Sequence, residues 1–412
     1  MQVNPPQKTI EGDLFDAFVK AGAISKDNSD DPKKSSFMRA ARTDKGVHAA
    51  GNVVSLKLIV EDEDVVEKIN QNLPEQIRVW GINRTNKSFE CRKLCGSRVY
   101  EYLIPSYSFL PPKPGSAFAE RLNEVAKEKP GVTKDDPEGD LFWAEVEKRL
   151  AAEGVSKEDL RSYQEVTGEG EEVREESNAN SKLGASVIKK IKTIENACRR
   201  EYRISVQRLE KIRQCFKLYE GVHNFHNFTL GKGYKDPSAQ RFMKSLTVSE
   251  PKLINGTEWL SIKIHGQSFM LHQIRKMVAM VALTIRYGAP ESRITEAFGE
   301  QSISIPKAPS LGLLLEQPVY EAYNRKLETF GRDAITFEPY QEQMEEFKSK
   351  HIYDKIYTDE AKENVFHAFF AFMDSFKDSP FDYFTAHGIT SSTKQQKISD
   401  EDKEELQGDN EG

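Results

Sequence analysis

The chain has 412 residues, 38% of them apolar and 30% charged, with a formal net charge of −6. That length predicts two or three domains, each large enough for its own core. No apolar run approaches the ~20 residues of a membrane span, the stretch MQVNPPQKTIEGDLF has no secretory apolar core, and neither a GxxxxGK(S/T) phosphate loop nor an HExxH zinc helix occurs.

In chain order, Ile10 to Ala21 places Ile10, Leu14, Phe15 and Phe18 at helical spacing. A polar loop with Pro32 follows. Val53 to Val60 alternates as a strand, with Val54, Leu56, Leu58 and Val60 on one side. Asp64 to Leu73 reads as a helix stopped by Pro74, and Ile77–Ile82 and Val99–Ile104 read as strands. Pro105 to Gly115 is a proline-rich turn region. From about residue 123 to 183 the apolar pattern fades. GEGEEVREESNANSKLG cannot bury enough surface to offset its ordering entropy, so residues 123–185 are expected to be a mostly disordered acidic insert, with a short helix near Trp143 and Leu150.

Beyond the insert, Ser205 opens a helix that turns Val206, Leu209, Ile212 and Phe216 inward, and Trp259–Ile264 alternates as a strand. Ser268 is placed to cap a long helix over Phe269–Tyr287 that ends at Gly288, and Pro290 opens another. Asn364 to Phe376 forms a Phe-rich helix, expected to be core. Past Thr390 the composition is that of an acidic tail. The expected organisation is an amino-terminal half (1–122), the insert (123–185), a second half (186–330), a helical extension (331–380) and a tail (381–412). Strand and helix patterns alternate in both halves, so the fold class is α/β (α+β).

The charge is unevenly spread. Residues 128–180 hold 16 acids and 7 bases, and residues 394–412 hold 7 acids and 3 bases, which leaves the remainder at +7. A basic body with acidic appendages suits a polyanionic partner. The basic run from Lys189 to Arg213 is a candidate track for an RNA backbone, with Lys189, Lys190, Lys192, Arg199, Arg200 and Arg203 as its contacts; a solvated helix face explains the same pattern. The cysteines (Cys91, Cys95, Cys198 and Cys215) form no disulfide framework in so long a chain, which fits a reducing compartment. His223 with His226, and Cys91 with Cys95, lack the companions a metal site needs, so no metal is expected.

The segment richest in chemistry is Arg42-Thr43-Asp44-Lys45-Gly46-Val47-His48-Ala49. Asp-Lys-Gly alone is ordinary turn composition. The full string resembles the RTDxGVHA box of the TruA family of pseudouridine synthases. Two further segments are similar to that family's in order and spacing: Arg98-Val99-Tyr100-Glu101-Tyr102, and Gly266-Gln267-Ser268-Phe269-Met270-Leu271-His272-Gln273-Ile274-Arg275. YEGVHNFHNFT, GKGYKDPSAQR and LGLLLEQPVYEAYN resemble the eukaryotic, fungal branch.

The resemblance implies two α/β halves that share an antiparallel-rich sheet with a basic central cleft, and isomerisation of uridine to pseudouridine in tRNA without a cofactor. It implies Asp44 as the catalytic residue, Tyr100 against the target base, Arg275 paired with the aspartate, and Arg42 as a phosphate or base-flipping contact. Small nuclear RNA and mRNA are further candidate substrates. The nucleus is the implied location, with mitochondrion and cytoplasm as alternatives, and the chain is expected to be a monomer with no membrane partner.

The chemistry accounts for those residue types. A carboxylate near the anomeric carbon can act as nucleophile, stabilise developing positive charge, or act as a base toward the ribose. An arginine, never neutral, keeps that carboxylate ionised. Tyrosine can stack on the freed uracil and take part in moving the C5 proton. Gly46 permits positive φ and Thr43 can cap. Relatives begin with a strand and a GYxGTGYxGMQ loop ahead of the TIEG helix, which is the first element here. That departure carries the alternative reading, a catalytically impaired RNA-binding paralogue of the same fold.

Overall fold

The computed structural model describes residues 8–43, 46–132, 135–167, 184–329, 331–376 and 380–390, together with 400, 402, 403 and 406. The early elements are α1 (Ile10–Lys20), β1 (Met38–Arg39), β2 (His48–Ala49), β3 (Val54–Ser55), α2 (Val65–Gln71) and β4 (Ser97–Pro105). Then come α3 (Ala117–Glu128), α4 (Pro137–Ala152), α5 (Lys157–Thr167), α6 (Ala185–Glu201) and α7 (Val206–Lys217). Strands β5 (Gly221–Asn224), β6 (Gln240–Val248), β7 (Lys252–Ile254) and β8 (Thr257–Gly266) lead to α8 (Gln273–Arg286) and α9 (Ser292–Glu296). The chain continues through β9 (Leu313–Val319), α10 (Glu321–Thr329), α11 (Gln341–Lys348), α12 (Asp354–Glu363) and α13 (Val365–Asp374). The fold is mixed α/β.

Two compact units form, and both are discontinuous in sequence: one holds residues 1–101 and 310–358, the other 102–309 and 359–412. In the first unit, Leu14, Phe15 and Phe18 of α1, Ile69 of α2 and Leu73 just past it share a common core. Thr9 caps α1 by accepting from the Gly12 N–H at 3.1 Å. Ile10, the first helical residue, is exposed instead of inward. Strand β1 pairs antiparallel with β3, Met38 opposite Ser55. Strand β2 pairs parallel with β9, His48 opposite Leu314.

The strand expected over Val53–Val60 is a ladder only at Val54–Ser55. Leu56 and Leu58 still face the α1–α2 core, but the backbone bonds irregularly: Lys57 N–H to Ser35 O at 2.8 Å and Ile59 N–H to Ala23 O at 2.9 Å. The strand expected at Ile77–Ile82 is likewise irregular. There Asn70 stands in for a neighbouring strand, donating to Val79 O and accepting from Val79 N–H, both at 2.8 Å. Alternation reports a buried face; it does not supply a ladder partner.

In the second unit the strands are antiparallel in the order β5, β6, β8, β7. Helix α8 is enclosed on all sides, and every residue from Met277 to Leu283 is fully buried. Its carboxyl end is tied down by Arg286, whose Nη2 lies 2.5 Å from Asp374 on α13. The helix starts at Gln273 and not after Ser268. His272 caps it in the left-handed region, with φ 60°, and Gln273 Oε1 accepts from Met270 N–H at 3.0 Å.

The expectation of a mostly disordered insert is corrected for residues 137–167, which are α4 and α5. Val146, Leu150, Val155 and Tyr163 form a core with Ile188, Ile191 and Cys198 of α6. The acids of this stretch mask an ordinary apolar stripe at helical spacing. The low-complexity run at residues 168–183 lies outside the described residues.

Candidate functional site

The RTDKGVHA segment is held at both ends within the first unit. Upstream, the β1–β3 pair fixes its entry: Ala40 N–H donates to Val53 O at 2.8 Å, and Asn52 Nδ2 donates to Ala41 O at 3.0 Å. Arg98 of β4 braces the same turn through Nη2 to Ala40 O at 2.8 Å. Arg39 pairs with the buried Glu11 of α1 at 2.5 Å. Downstream, β2 and the bond from Ala50 N–H to Leu315 O at 2.8 Å fix the exit. Gly46, ahead of β2, has φ +80°, a conformation that side-chain-bearing residues rarely adopt.

Asp44, the expected catalytic residue, and Lys45 lie outside the described residues. Arg42 and Thr43, just before them, are half-buried and outside regular secondary structure. Tyr100 sits in β4 and is 9% exposed. Arg42, Gly46 and Tyr100 thus belong to the first unit.

Arg275 belongs to the second unit, in the first turn of α8. Its Nε donates to Ala308 O at 2.6 Å, and Ala308 N–H returns a bond to Arg275 O at 3.2 Å. The side chain is therefore clamped along one edge, and among the described residues none takes up the Nη edge. Tyr102 completes this knot. It is fully buried, and its hydroxyl donates to Pro309 O at 2.7 Å. Burial pushes its phenol far above the usual range, against the opposing pull of the Arg275 charge. Tyr102 was visible only as the second tyrosine of RVYEY, with nothing in the pattern to separate it from Tyr100. Lys276 was not singled out either. It is buried, donates to Thr229 O at 3.0 Å, and has its ammonium pushed down to about 8 by burial.

The expected RNA track resolves into different roles. Lys189, Lys192 and Arg200 are exposed on one face of α6, and Arg203 is exposed just past its end. Lys190 turns aside to Glu153 O at 2.7 Å, Arg200 reaches Ala361 O at 2.8 Å, and Arg203 reaches Gly256 O at 3.3 Å. Arg199 is buried against Glu195 and Asn196, away from solvent. Farther along the run, Arg208 is a core residue: its Nε donates to Glu138 at 3.0 Å, and it also pairs with Asp136. That ion cluster lines a cavity of about 860 Å³ with Phe142, Tyr202 and Arg203, but its donors and acceptors are consumed by one another.

His223 and His226 hold structural positions. His226 Nε2 lies 2.8 Å from Gly299 O and His223 Nε2 lies 2.8 Å from Glu220 O, and His223 stacks on Phe298 with centroids 4.3 Å apart. Among the described residues no group of three metal-ligating side chains converges.

A mixed α/β chain with the RTDKGVHA, RVYEY and GQSFMLHQIR segments in this order is, in class, an RNA-modifying isomerase. Residues 215–321 match the family model described as tRNA pseudouridine synthase. The tRNA pseudouridine synthase 1 of Yarrowia lipolytica is 59% identical over 413 residues, covering 98% of this chain and 77% of the relative. That of Schizosaccharomyces pombe is 43% identical over 451 residues, covering 96% and 84%. The tRNA pseudouridine(27/28) synthase of Saccharomyces cerevisiae is 38% identical over 374 residues, covering 89% and 93%. The chain belongs to the tRNA pseudouridine synthase family.

Proposed function

We propose that the protein converts uridine to pseudouridine in tRNA, with Asp44 as the nucleophile. The observation that supports this most is the extent of the likeness: a relative named tRNA pseudouridine synthase 1 is 59% identical along 98% of the chain. In this reading the target uridine is first extruded from its stack. The Asp44 carboxylate attacks C1′ as the N1–C1′ bond breaks, and the electron pair leaves with uracil. The base turns, C5 attacks C1′, and the carboxylate departs. The C5 proton is then lost, N1 gains one, and the reaction balances without an oxidant or cofactor.

Tyr100 supplies a ring to hold the freed base and a hydroxyl to relay the C5 proton. The family resemblance pairs Arg275 with the aspartate, and a guanidinium, never neutral, keeps a carboxylate ionised. Arg42 holds a phosphate or the flipped nucleotide. The exposed Lys189, Lys192, Arg200 and Arg203 give the tRNA backbone a cationic surface. Small nuclear RNA and mRNA as further substrates, and the nucleus as the compartment, rest on family resemblance.

The test is tritium release from tRNA transcripts labelled at uridine C5. Wild type is expected to release tritium, and Asp44→Ala is expected to bind tRNA normally and release none. Wild-type binding without release would overturn the enzymatic reading and leave the RNA-binding one. Retained release by Asp44→Ala would remove Asp44 from the chemistry.

A further inference from the structure

Within the second unit, Asp402 of the acidic carboxyl-terminal segment is held beside the start of α8. Asp402 Oδ1 lies 2.5 Å from Lys307 Nζ and 3.7 Å from His272 Nε2. The His272 side chain is fully buried and Asp402 is 15% exposed, so this carboxylate is seated in a built site. Lys276, in the first turn of α8, feels the charges of both Asp402 and Lys307. His272 caps the 14-residue α8, whose amino-terminal end also favours an anion. A few residues on, Leu406 lies 3.5 Å from where a Cβ would stand on Gly231, which has φ +69°.

One imidazole and two ammonium donors beside a helix start are what a phosphodiester oxygen requires. Lys307 also directly precedes Ala308, which is bonded in both directions to Arg275. We propose that His272, Lys276 and Lys307 form a phosphodiester-binding site for the RNA substrate, and that Asp402 occupies it as an internal anion which the RNA must displace. This deepens the reading of RNA as substrate and rests on it. Asp400, two residues earlier, is not seated in this way: its side chain is 95% exposed and pairs with Lys403 at 2.6 Å. The Lys307–Asp402 contact is partly solvated, and such pairs are readily exchanged for a competing anion.

The experiment measures tRNA affinity of the full chain by fluorescence anisotropy between 50 and 200 mM salt, as a general range for resolving counterion release. Asp402→Asn is expected to bind about fivefold tighter, and Asp400→Asn to bind as wild type does. Lys307→Ala is expected to weaken binding and lower the slope of log affinity against log salt by about one. In the Lys307→Ala background, Asp402→Asn should add nothing. Equal tightening by Asp400→Asn and Asp402→Asn, no tightening by either, or undiminished tightening without Lys307 would each overturn the site. Tritium release in the same preparations separates the two proposals: linkage without product removes only the enzymatic reading, and product without linkage removes only this site.

Discussion

Replacing Arg208 with Met should loosen α4 and α5 while leaving the rest of the second unit folded. Arg208 is 7% exposed. Its Nε donates to Glu138 Oε2 at 3.0 Å, its Nη2 pairs with Asp136, and its Nη1 donates to Phe109 O. Glu138 also accepts from Ser205 N–H at 3.0 Å and from the Ser205 and Tyr202 hydroxyls, each at 2.5 Å. Burial alone would raise the Glu138 carboxyl, but Ser205, Tyr202 and Arg208 outweigh it and hold the group below its usual range. Removing one partner of a buried pair costs about 3–5 kcal/mol. Both carboxylates keep some solvent contact, at 27% and 23% side-chain exposure, so the low end, about 3 kcal/mol, applies. For a unit of this size that is a fall in Tm of about 6–12 °C. The sign with pH follows: a carboxylate held low gives stability that is full above its unfolded value of 4.5 and lost as pH falls through the folded one. Arg208→Met removes the lowering that Arg208 contributes, so the Glu138 carboxyl moves up and acid unfolding should begin at higher pH. Calorimetry across pH, with hydrogen exchange to locate the opening, checks both. Wild-type Tm and unchanged exchange in α4 would refute the reasoning, as would a full additional loss when Glu138→Gln is combined with Arg208→Met.

Three further outcomes are expected. Burial sets Lys276 at about 8 against 10.5 unfolded, so between those values the unfolded chain binds a proton the folded chain has released. Stability in urea should therefore rise with pH across that window, by about 3 kcal/mol in all, and Lys276→Met should flatten the rise. Gly46→Ala meets only ordinary contact at Ser310 Oγ, 3.4 Å away, so its cost is backbone strain of about 1–2 kcal/mol; tritium release should fall at least about tenfold through the displaced box, and unchanged turnover would show that Gly46 does not set its geometry. Tyr102→Phe leaves Pro309 O without its buried donor, which should lower stability by about 1–3 kcal/mol and, by loosening the segment that clamps Arg275, lower kcat more than it changes KM.

The three signature segments could be read directly from the sequence because each packs unusual residue types into a fixed order. The elements that carry them were harder. Val54, Leu56 and Leu58 alternate because one side is buried in the α1–α2 core, yet only Val54–Ser55 finds a ladder. At the head of α8, Phe269, Met270 and Leu271 extend the apolar pattern beyond the helix, so Ser268 looked like the cap that His272 and Gln273 provide. In each case the pattern recorded burial correctly, and distant backbone atoms decided the hydrogen bonding.

Charge misled in a different way, and for a physical reason. A basic run on α6 and α7 beside an acidic insert reads as a polyanion track next to a disordered appendage. In the structure the two sequences partly neutralise each other: Arg208 with Asp136 and Glu138, Arg149 with Glu201, and Lys190 against Glu153. Composition counts these charges separately because the partners are 37 to 72 positions apart. What survives as a cationic face is smaller: Lys189, Lys192, Arg200 and Arg203 are the exposed remainder. A surface reduced to four cations predicts a modest salt slope from this face, about three to four in log affinity against log salt. Charge-neutral substitution of all four should remove that share of the slope while Arg208→Met leaves it intact, a contrast that separates the cations proposed to face RNA from those holding the fold.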